Sequence, residues 1–478
     1  MKQTEAFANL IGGEWMRPEA TRPNVSPSDV SDVIGEYASA AQADVAAALA
    51  AARAAFPAWA RSTAQTRSDL LAKVGAELFA RREEIGELLS REEGKTRPEG
   101  IGEVIRASQV IQFFAGEALR LAGEKLPPVR PGVDIDITRE PVGVIGVITP
   151  WNFPVAIPAW KIAPAIAFGN TVVFKPADLT PAMGWTLVDI FHRAGAPAGV
   201  INLVMGRGSV VGDALVDGVD AITFTGSVPT GRKIAARAIG RMSRIQLEMG
   251  GKNPLVVLDD ADLDVAVNCA LNGAFIQTGQ RCTASSRLIV AEGIHDRFVQ
   301  KMREGMAAMK VGHALAADTQ IGPVVDAGQL ETDLEYLKIG EQEGASRIGG
   351  ELLKQDKEGF YLSPALFVDA TNDMRISREE VFGPVASVIR VKNYEEALAV
   401  ANDTEFGLSS GICTTSLKYA RDFQRNSESG LVMVNLPTAG LDYHVPFGGR
   451  KASSYGPREQ GSHAREFFTI TKTSYISS

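Results

Sequence analysis

The chain has 478 residues, about three times the length of an average domain, which predicts two or three packed units. Hydrophobic residues make up 45% and charged residues 22%, a composition that excludes a disordered chain. There are 57 acidic and 49 basic residues, so the net charge is −8. This acidic balance lacks the basic excess of a nucleic-acid-binding protein.

The three cysteines, Cys269, Cys282 and Cys413, are odd in number and widely spaced, as is typical of a reducing compartment. The N-terminus has no apolar segment typical of a signal peptide, so we expect a cytoplasmic protein. Neither CxxC nor HExxH occurs, so we expect no metal site. Residues 141–160 are uncharged over a membrane-spanning length, but four prolines interrupt them. We therefore expect a buried strand, a turn and a helix start there, and no membrane segment.

Residues 41–122 predict helices, because apolar residues recur at spacings of three and four with charges between them. In residues 126–143, Val133, Ile135 and Ile137 alternate with polar residues, which predicts a strand in a projecting arm. The C-terminal FFTITKTSYIS also predicts a strand. These two strands could pair within one subunit or across a subunit interface.

Short apolar runs alternate with helical patterns from residue 143 to 260, which predicts βαβ units and a parallel sheet. The runs are VGVIGVI, TVVFK, VINLV, AITFTG and NPLVVL. A second alternation follows from residue 282 to 440, with runs SRLIVA, ASVIRV, SSGICTT and LVMVN. We therefore expect two successive α/β units with a boundary near residues 250–260.

Cys282, in GQRCTASS, precedes a predicted strand and therefore lies on a loop or at a helix start. In α/β proteins such loops carry the chemistry, and Arg281 would favour a thiolate there. A lone cysteine is more often an inert apolar residue, the role we assign to Cys269 and Cys413. As a general base we favour Glu248, before the Gly250-Gly251 pair, over His444, and the equally open alternative is that Glu248 is an exposed glutamate at a helix end.

Asn152 stands in the rigid TPWNFP turn, where its amide could donate a hydrogen bond to an oxyanion or simply form the turn. The stretch AITFTGSVPTGRKIA predicts a strand, a glycine turn and a helix whose first N–H groups could bind a pyrophosphate. Lys175 and Asp178 follow the TVVFK strand, at a position suited to ribose hydroxyls.

In chain order the sequence contains TPWNFP, FGNTVVFKPAD, FTGSVPTG, LEMGGKNP, GQRCTASS, EEVFGPV and NLPTAG…PFGGRKASSYGPREQG. Together these motifs resemble the NAD(P)-dependent aldehyde dehydrogenase superfamily from about residue 8 to the C-terminus. This resemblance implies an α/β fold with three parts. A Rossmann-like cofactor-binding domain would comprise residues 1–125 and 144–252, and an α/β catalytic domain residues 253–455. A β-strand oligomerisation arm would comprise residues 126–143 and 456–478.

The same resemblance implies a role for individual residues. Cys282 matches the nucleophile, Glu248 the base and Asn152 the oxyanion amide. The cofactor-binding positions it implies are Trp151, Lys175, Asp178, Gly226, Ser227, Gly231, Glu380 and Phe382. The cofactor would be NAD or NADP. The carboxylate of Asp178 would repel the additional phosphate of NADP and so favours NAD slightly, although its short side chain could permit both.

Further stretches are similar to bacterial α-ketoglutaric semialdehyde dehydrogenases, which implies a small acidic aldehyde, 2,5-dioxopentanoate, as substrate and 2-oxoglutarate as product. These stretches include SDLLAKVGAELFARREEIGELLSREEGKT, LEMGGKNPLVVLDDADL and AGLDYHVPFGGRKASSYGPREQG. Arg281 is our hypothesis for the cation that binds the substrate carboxylate. Trp160 and Phe447 would either line an apolar substrate pocket or pack in the hydrophobic core.

Several alternatives remain open at this point. The substrate could be succinate semialdehyde or an aromatic aldehyde. From other classes, a cofactor-independent thiol hydrolase would use Cys282, and an inactive scaffold would keep the fold without turnover. The glycine turn at Gly226 and Lys175 speak against the hydrolase, and the set of Cys282, Glu248 and Asn152 speaks against the inactive scaffold. The predicted arm and terminal strand favour a homodimer or homotetramer.

Overall fold

The structure is a computed structural model that describes residues 6–477. The predicted ranges 1–125 and 456–478 therefore extend outside the described part by residues 1–5 and 478. Two small antiparallel sheets and four helices precede the arm. The bounds are β1 (Asn9–Ile11), β2 (Glu14–Met16), β3 (Thr21–Ser26), β4 (Asp29–Ala38), α1 (Gln42–Ala60), α2 (Ala64–Ala80), α3 (Arg82–Glu93), α4 (Arg97–Ala118), β5 (Glu124–Leu126) and β6 (Val133–Pro141).

The helices predicted for residues 41–122 are confirmed as α1 to α4. Of these, α4 bears most directly on the site, and it packs against α2, α3 and α5. At its start the side chain of Glu99 accepts the backbone N–H of Thr96 at 2.8 Å, which is one half of a capping box. Glu99, Glu103 and Arg106 follow at helical spacings of four and three, so they share one face of this helix.

The first α/β unit alternates strands with helices. Its elements are β7 (Val144–Ile148), α5 (Ala156–Ala167), β8 (Thr171–Lys175), α6 (Pro181–Arg193), β9 (Ile201–Leu203), α7 (Gly208–Gly218), β10 (Ala221–Thr225), α8 (Val228–Ile239) and β11 (Arg244–Glu248). Strands β7 to β10 confirm the first four predicted apolar runs, whereas the fifth, NPLVVL, is a strand of the second sheet. The five strands β7 to β11 run parallel in the order β11-β10-β7-β8-β9. We did not predict β11, because its two apolar residues, Ile245 and Leu247, are too few to form a continuous apolar run.

Both faces of this sheet are covered, as the apolar runs require. Ile145 and Val147 of β7 belong to one buried cluster with side chains of α4, α5 and α6. Their neighbour Val144 belongs to a second cluster with side chains of α1, α7 and α8. Because successive strand residues point to opposite faces, the sheet separates two helical layers. The uncharged segment 141–160 is therefore a buried strand, a turn and a helix start.

The second α/β unit is built in the same way. Its elements are β12 (Asn253–Val257), α9 (Leu263–Phe275), β13 (Ser285–Ala291), α10 (Glu292–Ala308), α11 (Ala327–Gln342), β14 (Ser346–Gly349), β15 (Ala365–Val368), α12 (Arg375–Arg378), β16 (Val385–Val391), α13 (Tyr394–Asn402), β17 (Phe406–Gly407), β18 (Ser409–Cys413), α14 (Leu417–Asn426) and β19 (Leu431–Val434). The sheet order is β14-β15-β16-β13-β12-β18-β19, and β14 alone among these strands pairs antiparallel.

The C-terminal elements add one strand to the first sheet and one strand to the arm. They are β20 (Arg450–Lys451), β21 (Ser454–Tyr455), α15 (Arg465–Phe468) and β22 (Thr469–Ser477). Strand β21 pairs antiparallel with β11, placing Ser454 opposite Glu248. Strand β22 pairs antiparallel with β6 over its whole length, so the two predicted strands pair within one chain. Strand β5 completes this three-stranded arm sheet.

The two large sheets meet where the candidate residues lie. Asn152, Lys175, Gly226 and Glu248 lie at or just beyond the carboxyl ends of β7, β8, β10 and β11, where open α/β sheets bind ligands. Cys282 lies three residues before β13, between a 3₁₀ turn at Ile276–Gly279 and the second sheet. Among residues 6–477, no helix is both long enough and apolar enough to cross a membrane.

Candidate active site

The backbone leading to Cys282 is unusual. Gln277, Thr278 and Gly279 all have positive φ angles, of 56°, 57° and 67°. Such a conformation costs a non-glycine residue about 1–3 kcal/mol and persists where surrounding contacts hold it. Here the N–H of Gln277 donates to Glu99 Oε1 at 3.0 Å, so α4 helps to fix the turn. The turn sets the position at which the chain presents the thiol.

The thiol of Cys282 is a neutral group before ligands bind. Burial, then the charges of Glu380 and Glu248, raise its pKa to about 12, against the opposing effect of Arg281. At neutral pH the sulfur therefore carries its proton. A nucleophilic thiolate requires a proton acceptor or a nearby positive charge.

Asn152 lies beside this thiol. Its Nδ2 donates one hydrogen bond to the carbonyl oxygen of Gln280 at 2.9 Å. An amide nitrogen carries two hydrogens, so one remains available. Within the described residues, the backbone N–H of Cys282 donates to no oxygen, and it lies toward its own sulfur, where it lowers the thiol pKa. The two donors can therefore both serve an oxyanion formed on a carbon attached to the sulfur.

Glu248 is buried at the end of β11, and Ser454 donates a hydrogen bond to its carboxylate. Burial and the charge of Glu459 raise its pKa well above the usual range, against the effects of Ser454 and Lys161. The carboxylate is close enough to Cys282 to influence the thiol pKa. A carboxyl group with a raised pKa is suited to accept a proton near neutral pH.

One cavity, of about 220 Å³, opens from Cys282 toward the glycine turn after β10. We name it the Gly226 cavity, and its lining residues are Pro150, Trp151, Asn152, Ile157, Thr225, Gly226, Ser227, Met249, Gly250, Cys282, Gln329, Glu380 and Phe382. Trp151 and Phe382 meet edge to face with ring centroids 5.4 Å apart. Glu380 Oε1 accepts the N–H of Gly251 at 2.8 Å.

The Gly226 cavity fits a dinucleotide on three observations. Ser227 begins α8 without a side-chain cap, so the first N–H groups of this helix are free for an anion. The buried hydroxyl of Thr225 has no hydrogen-bond partner within the described residues. A Cβ at Gly250 would lie 1.9 Å from Glu380 Oε2, so only glycine leaves room for this carboxylate at the cavity wall.

The predicted ribose residues lie outside that cavity. Lys175 Nζ donates to Asp178 Oδ1 at 2.9 Å and to the carbonyl oxygen of Pro176 at 2.7 Å. The lysine is buried beside Gly208, the first residue of α7, on the same carboxyl edge of the sheet. Gly231 lies one turn into α8, where a Cβ would meet Met249 Sδ at 2.4 Å. Its absent side chain lets α8 approach β11.

A second cavity, of about 350 Å³, opens from Cys282 on the side of α4. We name it the α4 cavity, and its lining residues are Glu99, Gly102, Glu103, Arg106, Phe153, Ala156, Ile157, Trp160, Gln277, Arg281, Cys282, Thr283, Ala439, Gly440, Leu441, Phe447 and Gln460. Cys282 and Ile157 border both cavities. The thiol therefore stands at their junction.

The three predicted substrate residues all line the α4 cavity. Trp160 and Phe447 pack with ring centroids 5.7 Å apart, and Trp160 Nε1 donates to Glu459 Oε2 at 2.7 Å. The guanidinium of Arg281 is engaged elsewhere, since Nη2 donates to the carbonyl oxygens of Asn272 and Gly273. That arginine therefore holds the end of α9, and its role toward a substrate stays a prediction.

Comparison with known proteins decides the family. The aldehyde dehydrogenase family model matches residues 15–474. The chain belongs to the aldehyde dehydrogenase family. This enzyme is 44% identical over 481 residues to the alpha-ketoglutaric semialdehyde dehydrogenase of Bacillus subtilis, with 99% of each chain covered. It is 41% identical over 459 residues to the 2,5-dioxopentanoate dehydrogenase of Saccharolobus solfataricus, with 95% of each covered.

The fold agrees with the family. This aldehyde dehydrogenase superposes on the betaine aldehyde dehydrogenase of Staphylococcus aureus, solved in complex with NAD+, with a TM-score of 0.96 and 33% identity. The comparison covers 100% of this chain and 96% of the other. The predicted α/β aldehyde dehydrogenase fold is confirmed. A Cys–His hydrolase would use a histidine as its base, and no histidine borders either cavity within residues 6–477.

Sequence reasoning missed the polar groups that surround the dehydrogenase site from α4 and the C-terminal segment. They are Lys95, Glu103, Arg106, Ser454 and Gln460. The shared face of Glu99, Glu103 and Arg106 was a readable signal, because buried sides of helices seldom carry three charges. Nothing in the local sequence links that face to the residues near position 460.

Proposed function

We propose that this enzyme oxidises 2,5-dioxopentanoate (α-ketoglutaric semialdehyde) to 2-oxoglutarate, with NAD favoured over NADP. The observation that carries the proposal is the position of Cys282 at the junction of the Gly226 and α4 cavities. One thiol can therefore face a cofactor on one side and an aldehyde on the other. The names of the Bacillus subtilis and Saccharolobus solfataricus relatives support this aldehyde.

In the proposed reaction the thiol of Cys282 passes its proton to water, and the resulting thiolate sulfur attacks the aldehyde carbon. The amide of Asn152 and the backbone N–H of Cys282 stabilise the resulting oxyanion. Loss of a hydride from that carbon leaves a thioester on the sulfur. The apolar walls formed by Phe153, Trp160 and Phe447 would limit the access of water to the thioester.

Glu248 would then activate the water that hydrolyses the thioester. Its raised pKa suits a general base, and the glycines at positions 250, 251 and 448 leave backbone freedom around it. In its present position the carboxylate binds Ser454 and borders neither cavity. Its proposed role therefore includes a turn of the side chain from Ser454 toward the thiol.

Six residues of the first α/β unit and two residues of the second would form the proposed cofactor site. Its members are Trp151, Lys175, Asp178, Gly226, Ser227, Gly231, Glu380 and Phe382. A bound nicotinamide supplies the acceptor for the substrate hydride. The N–H groups at the start of α8 would bind the pyrophosphate, and the carboxylate of Asp178 opposes a further phosphate on the ribose.

We also propose the division into units. Residues 1–125 and 144–252 would form the cofactor-binding domain, and residues 253–455 the catalytic domain. Residues 126–143 and 456–478 would form an arm that joins subunits in a homodimer or homotetramer. The antiparallel pairing of β6 with β22 supports a single arm unit made of both segments.

The test is a panel of aldehydes, each assayed once with NAD and once with NADP. The rate is measured as the increase in absorbance of the reduced nicotinamide. The panel comprises 2,5-dioxopentanoate, succinate semialdehyde, glutarate semialdehyde and benzaldehyde. We expect the highest kcat/KM for 2,5-dioxopentanoate, and a higher kcat/KM with NAD than with NADP. A higher value for another aldehyde would contradict the proposed substrate, and a strong preference for NADP would contradict the proposed cofactor.

Two variants in the same assay test the residue roles. Cys282→Ser should abolish reduction of the cofactor. Glu248→Gln should slow steady turnover by about 100-fold while leaving an initial burst of reduced cofactor, because a base contributes mainly to thioester hydrolysis. Thioester hydrolysis at the parental rate in Glu248→Gln would show that another group is the base.

A further inference from the structure

Arg106 is a second guanidinium in the α4 cavity. It projects from α4 on the same face as Glu99 and Glu103 and is partly buried in the cavity wall. Burial lowers its pKa to about 10, against the charge of Asp442, so it still carries a positive charge at neutral pH. A charged group held away from bulk water requires a partner of opposite charge or several acceptors.

Arg106 has few hydrogen-bond acceptors and no ion-pair partner among the described residues. Its Nη2 donates to Gln460 Oε1 at 3.0 Å, and the ring of Tyr443 lies 5.9 Å from the guanidinium carbon. Within residues 6–477, no carboxylate oxygen lies within 4.0 Å of this guanidinium. A guanidinium has five N–H donors, so most of them remain for another acceptor.

The other charged groups in this cavity already have partners. Glu99 accepts the N–H groups of Thr96 and Gln277, and Glu103 accepts the ammonium of Lys95 and two backbone N–H groups. The Nη2 of Arg281 donates to two carbonyl oxygens, while its buried Nε has no partner within the described residues. Arg106 is thus the cavity cation whose donors are least used by the protein.

Gln460 adds a matching donor. It is 1% exposed and adopts a φ of 58°, a conformation that non-glycine residues keep where the structure holds them to it. Because Arg106 can only donate, the amide turns its oxygen toward the guanidinium and its nitrogen away. No protein acceptor lies within hydrogen-bonding distance of that nitrogen in the described residues, and Gln460 borders the cavity.

We propose that Arg106 binds the carboxylate of the substrate and that the amide of Gln460 donates to the neighbouring 2-oxo group. The inference rests on the proposed function and names the residues that select a 2-oxo acid from among aldehydes. The acidic end lies against the α4 wall while the aldehyde carbon reaches Cys282, which borders the same cavity. A guanidinium and an amide side by side match a planar 2-oxo carboxylate.

Matched substrates test Arg106. In Arg106→Met, kcat/KM for 2,5-dioxopentanoate should fall about 100-fold, mainly through KM, because a charged hydrogen bond is lost. For pentanal, which has the same chain length without the carboxylate, it should fall less than about 3-fold. Arg106→Lys should recover part of the loss. Arg120→Met, on an exposed arginine just beyond α4, is the control and should match the parent enzyme.

Matched substrates also test Gln460. Gln460→Met should lower kcat/KM for 2,5-dioxopentanoate about 10-fold, and less for glutarate semialdehyde, which lacks the 2-oxo group. An equal loss on both substrates would overturn the assignment of Gln460. Equal losses of Arg106→Met on 2,5-dioxopentanoate and pentanal would overturn the assignment of Arg106.

A failure of the proposed substrate and a failure of the proposed role of Arg106 give different results. A parent enzyme that prefers succinate semialdehyde would overturn the substrate proposed above. The ratio of losses in Arg106→Met, measured with succinate semialdehyde and butanal, would still decide whether this arginine binds a carboxylate. Melting temperatures and NAD affinities equal to those of the parent would show that a selective loss is not caused by misfolding.

Discussion

At the scale of single residues, the reactivity of Cys282 depends on a neighbouring carboxylate. Burial raises the pKa of Glu380 to about 7, and the N–H of Gly251 opposes this rise. Glu380 is in turn the largest charged contribution to the raised pKa of the thiol. The two groups are therefore coupled: when Glu380 loses its proton, the thiol holds its own more tightly.

We predict a pH-dependent effect of Glu380→Gln on alkylation of the thiol by iodoacetamide without cofactor. Alkylation follows the thiolate, so the parent rate should rise with pH as the pKa of about 12 is approached. At pH 6 Glu380 is mostly protonated, and the variant should match the parent. At pH 9 Glu380 is charged, and the variant should react about 5-fold faster because the opposing charge is gone.

Glu379→Gln is the matched control for this measurement. Glu379 precedes Glu380 but binds Tyr336 and Arg375 at the surface, and it is not among the main charges that shift the thiol pKa. Its rates should equal those of the parent at both pH values. A Glu380→Gln variant that reacts like the parent at pH 9 would mean that Glu380 does not influence the thiol.

Some residues of the candidate site could be predicted from the sequence and others could not. Cys282, Glu248 and Asn152 were predicted because each stands in a short motif, and the fold brings them to one edge. Arg106 and Gln460 could not be paired in this way, because 354 positions separate them. Their contact exists only once α4 and the segment after β21 pack around the same cavity.

At the scale of elements, a buried ion pair connects α4 to the Asn152 turn. Lys95 Nζ donates to Glu103 Oε2 at 2.6 Å and to the carbonyl oxygen of Asn152 at 2.7 Å. Glu103 Oε1 accepts the N–H groups of Val155 and Ala156 at the start of α5. Burial alone would lower the pKa of Lys95, but the charges of Glu103 and its neighbours outweigh burial and raise it.

We predict that Lys95→Met lowers both stability and kcat. Removing the lysine leaves the carboxylates of Glu103 and Glu93 buried without their cation, at a cost of about 3–5 kcal/mol. The melting temperature should fall by several degrees, about 5 °C. Because the carbonyl of Asn152 loses its donor, kcat should fall about 10-fold with KM nearly unchanged. Thermal unfolding and steady-state kinetics measure the two effects.

The double variant Lys95→Met/Glu103→Gln separates positioning from stability. Glutamine keeps an oxygen for the N–H groups of α5 and removes a buried charge, so most of the melting temperature should return. The Asn152 carbonyl still lacks its donor, and kcat should stay low. Recovery of kcat together with the melting temperature would show that Lys95 stabilises the fold and does not position the Asn152 turn.

Element prediction succeeded where burial on both faces of a strand leaves a continuous apolar run in the sequence. The runs TVVFK and AITFTG are continuous and apolar because helices cover both faces of their sheet, and they became β8 and β10. Strand β11, which ends in Glu248, was missed because its only two apolar residues form no continuous run. One of its polar residues, Gln246, binds Thr223 inside the sheet layer. Such pairing is a property of the fold and leaves no apolar run.

At the scale of the whole molecule, the arm sheet carries apolar side chains without cover in the single chain. Tyr475 is 61% exposed and Ile476 57% exposed on β22, and Val129 is 96% exposed before β6. Strands β22 and β5 lie at the two edges of the sheet. Exposed apolar groups on an unprotected sheet edge are typical of a surface that another subunit covers.

We predict that Tyr475→Asp/Ile476→Asp lowers the oligomeric state. The parent should have the mass of a dimer or tetramer by light scattering after size exclusion, and the variant should shift to half that mass or less, because two charges would be buried at the contact. The control is Leu417→Asp, which changes a 72%-exposed leucine on α14, away from the arm. The control should keep the parental mass. Equal masses for the parent and the arm variant would place the subunit contact elsewhere on the molecule.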